Sequence, residues 1–415
     1  MKSYSSTYHW IVVALLWVVA LLNYLDRQML STMRPSMQID IVELKSATNF
    51  GYLMSVFLWI YGLMSPISGI IADKLNKKWL IIGSLMVWSV VTLSMGYAKT
   101  FYQLYFLRAL MGVSEAFYIP AGLALIADYH KEHTRSLAIG LHMSGIYLGQ
   151  ALGGFGATIA ANYSWQTTFQ FFGMIGIFYS GVLILFLREY KSAEDLTIPS
   201  DHSLNFTSLF TGLSVVLSNI SFWIILMYFA VPSLPGWVVK NWLPTLFSEN
   251  LGIEMSKAGP ITTITIAGAS LLGVLIGGYF SDKWLQINLK GRIYTSAIGL
   301  SMTIPALILI GYGHSFIAII SAAFCFGLGF GIFDCNNMPI LCQFVSSRYR
   351  ATAYGLLNMA GIIAGAMITG IFGKSIESGN PAKNFVVLAG ILIGALAIQL
   401  IFLKPRTRDC IDQLR

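Results

Sequence analysis

The sequence predicts an all-α membrane protein, with twelve transmembrane helices in two six-helix halves around a central cavity. Three observations carry this. Of 415 residues, 56% are hydrophobic and only 11% are charged, against about 25% charged in a soluble protein. About twelve apolar runs recur along the chain, each near the roughly 20 residues that cross a bilayer core. A long-range internal repeat divides the runs six and six.

In the first half the runs lie at 9–30, 50–73, 79–98, 101–128, 135–161 and 166–188. The first is long and lacks a small-residue cleavage site, so it reads as a retained helix rather than a signal peptide. In the second half they lie at 221–247, 258–281, 292–312, 316–342, 351–373 and 384–403. Pro232, Pro235 and Gly236 interrupt the 221–247 run, and unwound backbone lining a cavity is expected there. Between the halves, Glu189–Leu204 is the one long polar stretch, and Asn205–Ile220 is too short and mixed to span, which suits an interfacial helix. The expected units are therefore 1–188, a linker at 189–220, 221–403, and a tail at 404–415.

The formal net charge of +8 does not point to nucleic acid. Its bases sit in alternate short loops, at Lys74, Lys77 and Lys78, at Lys131 and Arg135, at Arg188 and Lys191, at Lys283, Lys290 and Arg292, and at Arg348 and Arg350. That is the positive-inside pattern, so both termini and the linker are expected in the cytoplasm, with the chain in a bacterial inner (plasma) membrane. The bilayer is one partner, and the chain is expected to act as a monomer.

Cys325, Cys335, Cys342 and Cys410 form no CxxC pair or ligand cluster, so neither disulfides nor zinc are expected. The sequence holds no H-E-x-x-H, G-x-S-x-G or Walker A motif, which removes support for a protease, a hydrolase or an ATP-driven pump. No enzyme activity and no cofactor are expected. His130 and His133 read as part of a solvated basic loop rather than a metal site. Trp10, Trp17, Trp165 and Trp223 near span ends suit an interfacial belt, and Gly145, Gly149, Gly153 and Gly154 permit close helix contact.

The repeat has two anchors. Gly69–Lys74 closes the second run as Gly278–Lys283 closes the eighth, and Arg135–Gly140 opens the fifth as Arg350–Gly355 opens the eleventh. Parallel repeats of this kind belong to alternating-access carriers.

Charges inside the apolar runs mark the candidate site. Arg108 and Glu115 lie seven residues apart in Phe101–Ala127, on one helix face and about 10 Å apart along the axis. Asp26 and Arg27 sit at the inner end of the apolar run His9–Tyr24. A charge at membrane depth costs roughly 2.5–3.5 kcal/mol on the lenient insertion scale, so each should face a partner or a wet cavity.

At these residues the chain resembles the major facilitator superfamily over essentially its whole length. Gly69–Lys78 resembles the signature loop between its second and third helices, which implies a gating role for Asp73, Lys74, Lys77 and Lys78, with Asp282 as the second-half counterpart. Asn76 stands where glycine is usual, at a position expected to tolerate a left-handed residue. Arg108–Gly112 resembles the fourth-helix signature.

Within the superfamily, Asn23–Gln28, Phe57–Tyr61 and Asn241–Thr245 resemble the anion:cation symporters, whose bacterial members import hexuronates and aldonates. Asn23–Arg27, Asp73–Trp79 and Gly112–Ala116 also resemble the spinster family of lysolipid and sphingolipid carriers. The seventh-helix run around Trp242 favours the symporters. That resemblance implies proton coupling at Glu115 and Asp26, and a sugar-acid site that includes Arg27, Arg108, Tyr61 and Asn358.

The residues' own chemistry agrees. Arginine holds a carboxylate bidentately and stays charged. A buried carboxyl changes its proton affinity as a cavity opens and an arginine approaches or leaves. Asp26 near the end of its run also suits a salt bridge between the halves. Lys240 offers a second-half cation for an anion, or snorkels to the interface. Asn336 and Asn337, beside Asp334, suit sugar hydroxyls or a helix staple. The expected function is secondary transport, with proton-coupled uptake of a small organic anion such as a hexuronate, aldonate or acidic amino sugar. A spinster-like lipid carrier and a proton-coupled exporter are the alternatives.

Overall fold

The structure is a computed structural model that describes residues 6–130, 132–188, 217–218, 220–345, 350–379 and 381–405. For Asp73 and Lys74 the backbone alone is described. The linker with most of its expected interfacial helix, the C-terminal tail from 406, and Arg348 lie outside the described residues.

The first half comprises α1 (Ser6–Asp40), a 3-10 turn (Val42–Lys45), α2 (Ala47–Lys74), α3 (Lys77–Met95), α4 (Phe101–Glu115), α5 (Tyr118–Tyr129), α6 (Glu132–Gly153), α7 (Gly156–Asn162) and α8 (Trp165–Phe186). The second comprises α9 (Ile220–Leu251), α10 (Met255–Ile287), α11 (Gly291–Tyr312), α12 (Phe316–Asp334), α13 (Asn337–Cys342), α14 (Arg350–Glu377) and α15 (Pro381–Phe402). Among the described residues, 11 stretches qualify as membrane spans by length and hydropathy. The twelfth, α6 with α7, carries Glu132, Arg135, His133 and His142 and is too polar to score.

Three spans are broken rather than continuous. Pro120 has no N–H to donate to Ala116, and α4 stops at Glu115. Pro339 does the same to Cys335, and α12 stops at Asp334. The Gly153–Gly154 pair ends α6.

Other expectations need correction. The first helix runs ten residues past 30, to Asp40. The α9 helix stays continuous through Pro232, Pro235 and Pro244, so its backbone is not unwound. Asn76 is not left-handed: at φ −58° it caps α3, accepting from the Trp79 amide at 3.2 Å.

Glycines set the closest packing. Gly145 and Gly149 press α6 against the Trp17 and Leu21 carbonyls of α1. Trp165 is buried and donates to Asp40 at 2.7 Å, so it does not serve an interfacial belt; Trp10 is half-buried and packs on His130. His130 is itself buried, not solvated, and its ring Nε2 donates to the His9 carbonyl at 3.2 Å.

The halves meet along α2 and α14 and, on the other side, where α6 and α7 meet α10. At the end remote from the termini the contacts are dense. Arg34 reaches Glu249 at 3.8 Å, Thr48 bonds Glu377, Thr158 donates to the Ser256 carbonyl at 2.5 Å, and Thr263 to that of Ala151 at 3.2 Å. Nearer the termini, the described ion pairs each stay within one half: Lys77–Asp128 at 2.8 Å and Arg292–Asp282 at 3.1 Å. The far end is the sealed one.

Candidate functional site

Arg27 lies just beyond the midpoint of α1, and Glu115 is the last residue of α4 before its proline break. Arg27 Nε donates to Glu115 Oε2 at 2.6 Å, and Glu115 is fully buried. The guanidinium lies 4.7 Å from the Tyr24 ring centre, 4.9 Å from Phe57 and 4.6 Å from Tyr61. A cation over ring faces is held electrostatically, so the two phenols and Phe57 orient Arg27 without consuming its donors. Its Nη2 has no protein partner.

Arg108 stands beside this pair, 4.5 Å from the Phe57 ring, with Nη1 on the Met111 sulfur at 2.9 Å. Asp26 points the other way along α1. It accepts from Thr92 of α3 at 3.3 Å, inside its own half, so it forms no bridge between halves. The first half therefore gathers two arginines and two carboxylates, with Asp26, Arg108 and Glu115 buried and Arg27 half-buried.

The second half contributes Lys240 from α9 and Asp334 from the end of α12. Lys240 does not snorkel. It is half-buried, 5.7 Å from the Trp237 ring and 5.4 Å from Phe330. The close approach of Phe330 is possible because Gly236 has no side chain, a Cβ there falling 2.7 Å from that ring. Lys240 is coupled through space to Asp334 and to Arg27. Asp334 is exposed, although it lies within electrostatic reach of Tyr24 and Tyr147 across the interface and of Tyr354 in its own half. An exposed carboxylate amid groups of both halves lines an internal cavity.

Other expected residues are placed as follows. Tyr61 is buried and acts through its ring on Arg27. Asn358 donates to Ser65 at 3.1 Å and so joins the halves. Asn337 donates to Asp334 at 3.0 Å. Asn336 is buried, its amide bonded to Ser281 and to the Ile332 carbonyl, which leaves nothing for the cavity. Lys78 donates to the Ile184 carbonyl at 3.1 Å. Tyr147, Tyr354 and Trp237 were not singled out by any motif. Asp334 was legible in the sequence as part of a polar cluster with Asn336 and Asn337, but not its likeness to Glu115, with which it shares the acid-to-proline spacing. Among the described residues no group of three or more metal-ligand side chains occurs.

Two packed halves, an interface that gathers charges at mid-depth and one sealed end define a membrane transporter rather than an enzyme. The family profile of the Major Facilitator Superfamily matches residues 16–369, and the chain belongs to that superfamily. The D-galactonate transporter of Escherichia coli O6:H1 is 24% identical, the match covering 94% of each chain. Protein spinster homolog 1 of Xenopus laevis is 25% identical over 92% of this chain and 73% of its own. A solved bacterial homologue of the human lysosomal transporter Spinster, inward-facing and occupied, superposes with a TM-score of 0.76 at 19% identity, over 96% of this chain and 97% of that one.

Proposed function

We propose that the protein carries small organic anions of the sugar-acid class by proton-coupled symport. The observation that carries this reading is the buried Arg27–Glu115 pair, with Arg27 Nη2 free of protein partners. By formal charge, three bases (Arg27, Arg108, Lys240) balance three acids (Asp26, Glu115, Asp334). A carboxylate entering the site adds an uncompensated charge in a medium where that is costly, and protonation of one acid restores balance. In this scheme a proton on Glu115 releases Arg27, and the substrate carboxylate takes its place. Lys240 approaches from the other half, and Asn358 and Asn337 supply amides for hydroxyls.

The similarity to a galactonate transporter supports this class, and loop charges support an orientation with both termini in the cytoplasm; the location proposed is a bacterial inner membrane. The sealed end then faces outward, and Asp282, Lys77 and Lys78 act near the inner gate, as do Asp73 and Lys74. A single chain contains the whole site.

A lysolipid carrier is the second reading, because an apolar groove of about 300 Å³ opens laterally between α3 and the α4–α5 span, lined by Trp79, Gly83, Val87, Leu110 and Phe117. Ser84 of α3 bonds the Ser114 carbonyl of α4 at 2.6 Å within that groove and ties its two walls together. A thermal-shift screen of the purified protein against galactonate, glucuronate, neutral sugars and lysolipids tests the choice. Ligand at a hundredfold excess over Kd adds about 2.7 kcal/mol of apparent stability. Stabilisation by sugar acids alone is expected, and stabilisation by lysolipid alone refutes the reading.

A further inference from the structure

The second half repeats the charged site of the first. Glu115 ends α4, the helix breaks over Ala116 and Phe117, and Pro120 follows five residues after the acid. Asp334 ends α12, the helix breaks over Cys335 and Asn336, and Pro339 follows at the same five-residue spacing. The bases repeat too. Arg27 and Lys240 are separated by 213 positions (240 − 27), and Glu115 and Asp334 by 219 (334 − 115). Both offsets lie close to the 209 between Asp73 and Asp282 (282 − 73) and the 215 between Arg135 and Arg350 (350 − 135).

The two pairs differ in state. Arg27 and Glu115 are in contact at 2.6 Å, with the acid fully buried. Lys240 and Asp334 attract each other through space without a direct ion pair, and Asp334 is exposed to the cavity. The groups facing Asp334 are Lys240 and Tyr228 from α9, Tyr24 from α1, Tyr147 from α6, Tyr354 from α14, the adjacent Cys335 thiol, and the Asn337 amide at 3.0 Å. Lys240 is thus the one cation among them, and Asp334 is the one acid wetted by the cavity.

We propose that Lys240 and Asp334 form a second coupling pair, the counterpart of Arg27 and Glu115, and that Asp334 carries a proton of its own in each transport cycle. This rests on the proton-coupled reading above. Asp334 takes a proton from hydronium in the cavity, forming an O–H bond, and the loss of its charge ends its attraction for Lys240, which turns to the substrate carboxylate. On release, Lys240 returns toward Asp334 and the proton goes back to water on the other side. Both acids end a helix five residues before a proline, at matching places in the two halves.

The number of protons per substrate reads this directly. In proteoliposomes with the membrane potential clamped to zero, the logarithm of steady-state galactonate accumulation rises with the pH difference at a slope equal to that number. The slope is thermodynamic, so a merely slower or less stable carrier leaves it unchanged. Asp334→Asn is expected to lower the wild-type slope by one, and Lys240→Met, which removes the base, to lower it by the same amount. Asp334→Glu is expected to keep it. The wild type is also expected to accumulate more galactonate under an inside-negative potential, an effect that shrinks in Asp334→Asn by one charge per cycle. An unchanged slope in whichever variant still performs counterflow overturns the second pair and leaves the sugar-acid symport reading standing. A wild-type slope of zero, or no galactonate transport, overturns both.

Discussion

Arg27 and Glu115 are joined at 2.6 Å, so the cation of the first helix is held by an acid from the fourth span and by the rings of Tyr24, Phe57 and Tyr61. The acid is spent on the arginine rather than on water. Whatever displaces it must offer the same planar fork a carboxylate in return.

Arg27→Lys keeps the charge but removes both the fork and the flat guanidinium that lies against three rings. Sugar-acid affinity in this variant is expected to fall by roughly tenfold or more, about 1.4 kcal/mol. Titration calorimetry on the purified variant checks it. Unchanged affinity would reduce Arg27 to a structural partner of Glu115.

Gly154 faces Gly259 across the sealed far end, where a Cβ would fall 2.9 Å from the Gly259 carbonyl oxygen. Backbone cannot yield as a flexible side chain does, so Gly154→Val is expected to keep that end from closing. Cysteines placed at Thr158 and Ser256, whose residues are hydrogen-bonded here, should cross-link several-fold less well in the valine variant. Equal cross-linking would show that the far end closes by another route.

His130 gives a pH dependence outside the membrane spans. Burial against Trp10 lowers its pKa, partly opposed by its bond to the His9 carbonyl. The folded state thus prefers the neutral ring, and the contribution is complete above the ordinary histidine pKa of about 6.5 and lost as pH falls below it. The melting temperature in detergent should drop between about pH 7 and 5, and drop less in His130→Asn. Parallel pH profiles for the two proteins would assign the acid sensitivity elsewhere.

Hydropathy made eleven spans plain, because the bilayer demands apolar length. It was weak for the α6–α7 span, where Glu132, Arg135 and His142 dilute the signal, His142 being buried inside the bundle. The breaks after Glu115 and Asp334 were legible only as Pro120 and Pro339, since proline kinks some helices and leaves others whole; α9 keeps three prolines inside one helix. Arg27 and Glu115 could each be named as buried charges, but their pairing spans 88 residues and only the fold closes that distance. Asn336 and Asn337 are adjacent and look interchangeable in sequence. One turn of backbone sends Asn336 to Ser281 and Asn337 to Asp334.

The central claim is that a proton on Glu115 releases Arg27 to a sugar-acid carboxylate, and proteoliposomes under an inward proton gradient test it most directly. The wild type should concentrate labelled galactonate and ignore lysolipid. Glu115→Gln should retain galactonate counterflow while losing one proton from the slope of accumulation against pH difference, because a neutral amide mimics the protonated acid but carries nothing across. Uptake of lysolipid with no sugar acid, or a Glu115→Gln slope equal to the wild type's, would contradict the account.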